Sequence, residues 1–382
     1  MFKLENSLKE WVAKGFITEN EAQQITVYES NKTEHSYALS TVLILGIIII
    51  GIGIISLIAA NWDTIPDAIK LAADFILLIL CGFLILYTWK KQKELIFEML
   101  LLFFMLLCLA SIGLISQIYQ TSGEFYDALL FWSLITAPIM LCAKSRVPPF
   151  IWMAGFLIGL DFTLINSPAA NLMTYEQMIT YIVMATPLLC FVLASLSLRF
   201  LGNNGSTLAF EIWIFITGLF AIIFKEIFYQ AVIPNFIYAV PICSYLLIVF
   251  SMYFILTNQA WHKGQKSILL LLLAIFIILF HFDISSSFDN YGFVKSLIQA
   301  FFTIFLLAIT AFFMASVRRP RWFQWFVFLI GVRFLFIYFE VIGSLAMTGI
   351  GLIISGILIV FMAVLWNKYR KPLAAWALRW TT

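Results

Sequence analysis

The chain has 382 residues, of which 63% are hydrophobic, 17% aromatic and only 11% charged, with a mean hydropathy of +1.01 and a formal net charge of +3. No soluble domain of this length hides that much apolar surface in one core, so the bilayer has to act as the solvent. The basic residues are sorted by side rather than pooled, which leaves no nucleic-acid patch.

Residues 1–35 are polar and lack the apolar stretch of a cleaved signal peptide, so the first span is expected to serve as an uncleaved insertion signal. Leu4, Leu8, Trp11 and Val12 recur at helical spacing and Gly15 supplies a stop. Thr18 with Glu21 three residues later forms a capping box for a second short helix reaching about Ser30. Such a hairpin is too small to hold a core of its own. It is expected on the cytoplasmic side, packed on the membrane face or on a protein partner, a plain amphipathic lead-in being the other reading.

About twelve apolar segments follow, at roughly 39–60, 67–88, 95–116, 126–143, 149–167, 177–198, 207–224, 233–257, 266–282, 293–316, 322–340 and 343–366. All but four of the 23 Lys and Arg residues fall before the first span, in alternate loops or in the C-terminal tail. The exceptions are Lys70, Lys225, Lys295 and Arg333. Basic loops mark the cytoplasmic side. The expectation is an all-α, polytopic integral membrane bundle of about twelve helices, both termini cytoplasmic. Its parts are a helical hairpin over 1–35, a membrane domain over 36–367 and a basic tail over 368–382. The fourth span and the close pair at 322–340 and 343–366 are the weakest; one re-entrant hairpin would lower the count to ten or eleven.

Trp62, Trp89, Trp152, Trp322, Trp325 and Trp366 lie near span ends and read as an interfacial belt. Pro138, Pro187, Pro234 and Pro241 interrupt spans, and the last two, in the eighth, form the best candidate hinge. Glu98 and Glu211 sit near cytoplasmic ends and read as interfacial carboxylates. The five cysteines all fall within spans and the three histidines are scattered, so no disulfide framework, metal site or cofactor is expected.

Ionisable groups deep inside spans are costly and draw attention first. Arg333 lies eleven residues into its span, roughly 16 Å deep, and Glu340 follows seven residues later on the same face. Asp67, Lys70 and Asp74 form one polar stripe on the second span, with Lys70 placed to bridge to Asp74. Asp161 lies in the outer half of the fifth. Two readings of this group stand open: an inter-helix salt bridge from Arg333 to Asp74 or Asp161, or an outward-facing cavity that binds a solute, ion or lipid head group.

Ala59-Ala60-Asn61-Trp62-Asp63 with Lys70, then Gln117-Ile118-Tyr119-Gln120 followed by Trp132, are similar to the best-marked segments of a bacterial predicted-membrane-protein family, domain of unknown function 2157. The segment Leu8-Lys9-Glu10-Trp11-Val12-Ala13-Lys14-Gly15-Phe16-Ile17-Thr18 resembles its opening. The resemblance covers about residues 4–150. It implies a multi-span bacterial membrane protein and brings no activity, substrate or catalytic residue. Asn61, Trp62, Asp63, Gln117, Tyr119 and Gln120 fit its pattern.

The leading functional expectation is a transporter or flippase-like carrier with an outward polar cavity formed by Asp74, Asp161, Arg333, Glu340 and Lys70. The alternatives are a membrane-embedded glycosyltransferase or lipid-modifying enzyme using Asp63 in the first outward loop, and a membrane sensor or scaffold recruiting a cytoplasmic partner through residues 1–35. The chain has no Walker A loop, H-E-x-x-H or G-x-S-x-G motif, and no catalytic residue is assigned.

Overall fold

The computed structural model describes residues 62–168, 173–228, 239–281 and 292–342 apart from 203, 260 and 318, together with residues 8, 11, 12, 14–25 and isolated positions at 49 and from 353 onward. For 226–228, 292–297, 299 and 338–342 the description is of backbone alone. The chain divides into two compact units, residues 1–75 and 76–382.

In the first unit the two predicted local signals form real caps. The Gly15 N–H donates to the Val12 carbonyl and the Phe16 N–H to the Trp11 carbonyl, both at 3.0 Å. That pair of bonds is a Schellman stop, and it requires the left-handed backbone that Gly15 adopts at φ 73°. Three residues on, the Thr18 N–H donates to Glu21 Oε2 at 2.8 Å and the Glu21 N–H returns to Thr18 Oγ1 at 3.3 Å. This reciprocal box opens the helix over residues 19–25. A 3-10 turn at Trp62–Thr64 then leads into α1 (Asp67–Lys90), inside which the boundary between the units falls.

The second unit continues with α2 (Glu94–Tyr119), α3 (Phe125–Leu141), α4 (Val147–Ile165), α5 (Tyr175–Leu201), α6 (Gly205–Phe228), α7 (Ala239–Thr257), α8 (Lys263–His281), α9 (Gly292–Ser316) and α10 (Pro320–Ile342). No strand occurs among the described residues. Eight helices are long and apolar enough to cross a bilayer, while α3 and the Ala300–Ser316 part of α9 are apolar but shorter. The helices α1 to α10 fall on the second to eleventh predicted spans. The first and twelfth, 39–60 and 343–366, lie outside the described residues, as do Trp366 and Pro234.

Helix ends follow local chemistry. Thr174 Oγ1 accepts from the Gln177 N–H at the start of α5, and Pro148 and Pro149 occupy the first turn of α4, where a missing N–H costs nothing. Pro241 is the third described residue of α7, and the stretch between it and Pro234 lies mostly outside the described residues. Pro138 and Pro187 do sit inside α3 and α5, and both helices run on past them.

Among the eight spans, α5 has 67% of its apolar window buried, against 39% or less for the others, so it is the axis of the unit. It packs against α4, α6 and α7, while α3 packs on α4 and α9 on α10. Close approach of α3 and α4 depends on two glycines. A Cβ on Gly159 would lie 2.6 Å from the Leu130 nitrogen, and one on Gly155 would run into the Trp132 ring. Indole donors stitch neighbouring helices: Trp132 Nε1 to the Met105 carbonyl at 2.6 Å, Trp152 Nε1 to Ser133 at 2.8 Å, Trp213 Nε1 to Phe150 at 3.0 Å. Trp152 therefore belongs to the core, with 6% exposure, and not to an interfacial belt. Its N–H finds an acceptor inside the bundle and has no need of the interface. Trp89 and Trp325 are each 61% exposed, and Trp322 stacks on Phe215.

Candidate functional site

A cavity of about 230 Å³ lies between α5, α6, α7, α8, α9 and α10. Its walls come from one end of each helix: the last turns of α5, α7 and α9 and the first turns of α6, α8 and α10. Pro187, Phe276 and Ile222, fourteen, thirteen and seventeen residues from those ends, place its floor roughly 20–25 Å in. Leu188, Phe191, Leu219, Leu273, Phe276 and Leu307 make the lining predominantly apolar. Gly218 opens directly onto it, since a Cβ there would meet nothing within 4 Å.

Two charged side chains line this cavity, and they are paired. Arg319 Nη1 and Nη2 donate to Glu211 Oε2 and Oε1 at 2.5 and 3.2 Å, a fork-to-fork arrangement in which both side chains are about a third exposed. Both partners are held by their backbones. The Arg319 N–H donates to the Met314 carbonyl, and the Arg319 carbonyl accepts from the Phe323 N–H, fixing the α9–α10 corner. Glu211 lies in the second turn of α6, whose start is pinned by Thr207 through Asn204 Oδ1, Ser197 and the Gly202 carbonyl. Gln265 closes α8 on α9 by donating to the Ser316 carbonyl, and Lys266 Nζ donates to the Leu256 carbonyl at the end of α7. This end of the unit also carries Arg199, Lys263 and Arg321.

In the cavity lining, Ser251 is 1% exposed and its hydroxyl has no hydrogen-bond partner among the described residues. Ser195 lines the same cavity, and each serine lies six residues from the end of its helix, about 9 Å in. At the opposite ends of α5, α7 and α8, Tyr245 lies beside Tyr181, its ring edge-on, and its hydroxyl donates to His281 Nε2 at 2.9 Å. The His281 Nδ1–H is taken by the Ile277 carbonyl, which leaves Nε2 to accept.

Of the five residues expected to form a cavity, the four with described side chains (Asp74, Asp161, Arg333 and Lys70) do not line this one. Lys70 pairs with Asp67 at 3.0 Å and sits 4.9 Å above the Trp62 ring, so two of the family-motif residues meet around an ammonium with a carboxylate beside it. The Lys70 bridge thus goes to the i−3 neighbour. Asp74 is buried on the same helix. Asp161 accepts from Thr186 Oγ1 at 3.5 Å and has no cation within ion-pair reach among the described residues, because α4 packs on α3, α5 and α6 while α10 packs on α9. Arg333 is half-buried seven residues beyond Phe326, the deepest α10 residue on the cavity wall. Asp63, Gln117, Tyr119 and Gln120 are exposed, Gln120 ending α2 in a left-handed conformation. Asn61 and the Glu340 side chain lie outside the described residues. No group of three or more metal-ligating side chains occurs among the described residues.

Of the two carboxylates read as merely interfacial, neither is idle. Glu211 makes the cavity ion pair. Glu98 accepts from the Lys144 N–H at 2.6 Å and the Ser145 hydroxyl at 2.7 Å, holding the α3–α4 turn, whose carbonyls crowd Gly205. Beside it Lys144 Nζ reaches Glu94 at 2.8 Å, which draws the Glu94 carboxyl below its usual range and lifts the Lys144 ammonium above its own. Glu211 and Arg319 are 108 residues apart, and the usable signal was chemical: a carboxylate a turn inside an apolar segment asks for a cation from a basic loop on the same side.

Residues 9–149 match the family described as Predicted membrane protein (DUF2157). The DUF2157 match takes in the Trp62–Lys70 contact, the Gln117–Gln120 segment and the Trp132 core, and stops at the start of α4. The cavity helices α5 to α10 lie beyond it. No curated protein and no solved structure matches the chain.

Proposed function

We propose that this helical membrane protein is a carrier for an amphiphilic small molecule, taken up in the α5–α10 cavity. In this reading about twelve spans cross a bacterial inner membrane, both termini lie in the cytoplasm, and the cavity opens at the basic, cytoplasmic end. The observation that supports it is the cavity itself: an apolar chamber inside a membrane bundle, walled by six helices and bearing one ion pair. The candidate charges Asp161 and Arg333, fourteen and thirteen residues from the same-side ends of α4 and α10, lie at about the depth of the chamber floor and outside its lining. Alternating access would carry the amphiphile past them as α9 and α10 shift against α5 and α6.

The test is reconstitution in liposomes with a single-chain fluorescent amphiphile, following its movement between leaflets by quenching from outside. The wild type is expected to speed this movement over protein-free vesicles, and Gly218→Phe, whose Cβ would enter open space in the chamber, is expected to abolish the gain. Equal rates for wild type, variant and empty vesicles would end the carrier reading.

A further inference from the structure

We infer that the molecule this cavity takes is a single-chain amphiphile with a zwitterionic head and a hydrogen-bonding linkage between head and chain. The inference rests on reading the cavity as a binding site and names what that site selects.

Size limits the apolar part. A chamber of about 230 Å³ is roughly one and a half times the ~150 Å³ cavity that takes up benzene. A volume of this size suits one acyl chain rather than two. The wall residues Phe191, Leu219, Leu273 and Phe276 offer such a chain only apolar contact.

Charge selects the head. Glu211 and Arg319 present one negative and one positive group at a single point, joined by two hydrogen bonds. An anionic head that took Arg319 would leave Glu211 beside a like charge, and a cationic head would strand Arg319 in the same way. A neutral head gains nothing by opening the fork. A zwitterion replaces both halves at once, anion to Arg319 and ammonium to Glu211, so no charge at the mouth is left uncompensated.

The hydroxyls select the linkage. Ser251 is buried with its Oγ unsatisfied, although a helical serine has the preceding turn's carbonyl in reach. A buried hydroxyl without a partner is costly unless something arrives to meet it. Ser251 and Ser195 face the chamber at matched depth, about 9 Å below the helix ends. That is where the ester or amide carbonyl of a head-anchored single chain would come to rest, with its methylenes continuing to Phe276.

The experiment is native mass spectrometry of the full chain released from nanodiscs, titrated with three probes sharing one twelve-carbon chain: a lysophosphoethanolamine, a lysophosphoglycerol and a monoacylglycerol. The wild type is expected to favour the zwitterionic probe at least tenfold over the other two. Glu211→Gln should move the preference to the anionic probe. Ser251→Ala should weaken the ester-linked zwitterion several-fold and leave its alkyl-ether analogue unchanged. Should Glu211→Gln fail to fold, the exchange Glu211→Arg with Arg319→Glu restores the pair and should keep the zwitterion preference. Equal binding of the three heads that Gly218→Phe still removes would overturn this inference and leave the cavity as a binding site. Head selectivity without movement between leaflets would uphold it and end the carrier reading.

Discussion

Replacing Glu211 and Arg319 by Gln, singly and together, isolates the free energy of the ion pair at the cavity mouth. Two charge-assisted hydrogen bonds join the groups, at 2.5 and 3.2 Å. Opposite charges about 4 Å apart gain roughly 4 kcal/mol at an effective dielectric near 20. Side-chain exposures of 31% and 27% admit solvent screening, and desolvation offsets more of the gain. A net coupling of about 1.5–3 kcal/mol remains. Each single variant should cost more than the double would suggest, because it leaves one charge in the mouth without its partner. The assay is a double-mutant cycle on unfolding free energies in mixed micelles, with the two single variants as its arms. A coupling below about 0.5 kcal/mol would refute the idea that this pair ties α6 to the α9–α10 corner.

Gly159→Ala should lower stability by about 1–3 kcal/mol, since the new methyl would press on the Leu130 backbone and part α3 from α4. Gly113→Ala on α2, with nothing within 4 Å, is the control and should leave thermal unfolding unchanged or slightly raised. Glu98→Ala strips the Lys144 N–H and Ser145 hydroxyl of their acceptor, so hydrogen exchange over residues 143–146 should quicken markedly while α7 is unaffected. The Glu21 carboxyl is held below its ordinary range by the bonds from Thr18. Its folded value is the depressed one, so its stabilisation is present above the unfolded value near ~4.3 and is lost as pH falls through the folded one. Exchange protection over residues 19–25 should therefore drop on acidification below about pH 4, and Thr18→Ala should remove that step. Protection that stays level from neutral to acid pH would contradict the box.

Features set by neighbours in sequence were readable, and features set by packing were not. The Schellman stop at Gly15 and the Thr18–Glu21 box involve residues at most five apart, and both form as the pattern implies. Helices α1 to α10 were legible because apolar length is the one property a span must have. Trp152 defeated the belt rule, since whether an indole seeks the interface or a carbonyl depends on which helix stands beside it. Asp161 and Arg333 look alike as buried charges, yet α4 and α10 belong to different packing neighbourhoods. The cavity was wholly invisible, because its walls come from six helices and its decisive polar group, the Ser251 hydroxyl, is marked only by the bond it fails to make.

The most direct measurement of the central claim is photocrosslinking with a single-chain zwitterionic amphiphile carrying a diazirine near its chain end, followed by peptide mapping. The account predicts adducts on buried chamber residues, such as Leu273, Phe276 and Leu307, that vanish in Gly218→Phe. Adducts confined to exposed side chains such as Phe83, Phe301 and Phe328, unchanged by Gly218→Phe, would contradict it.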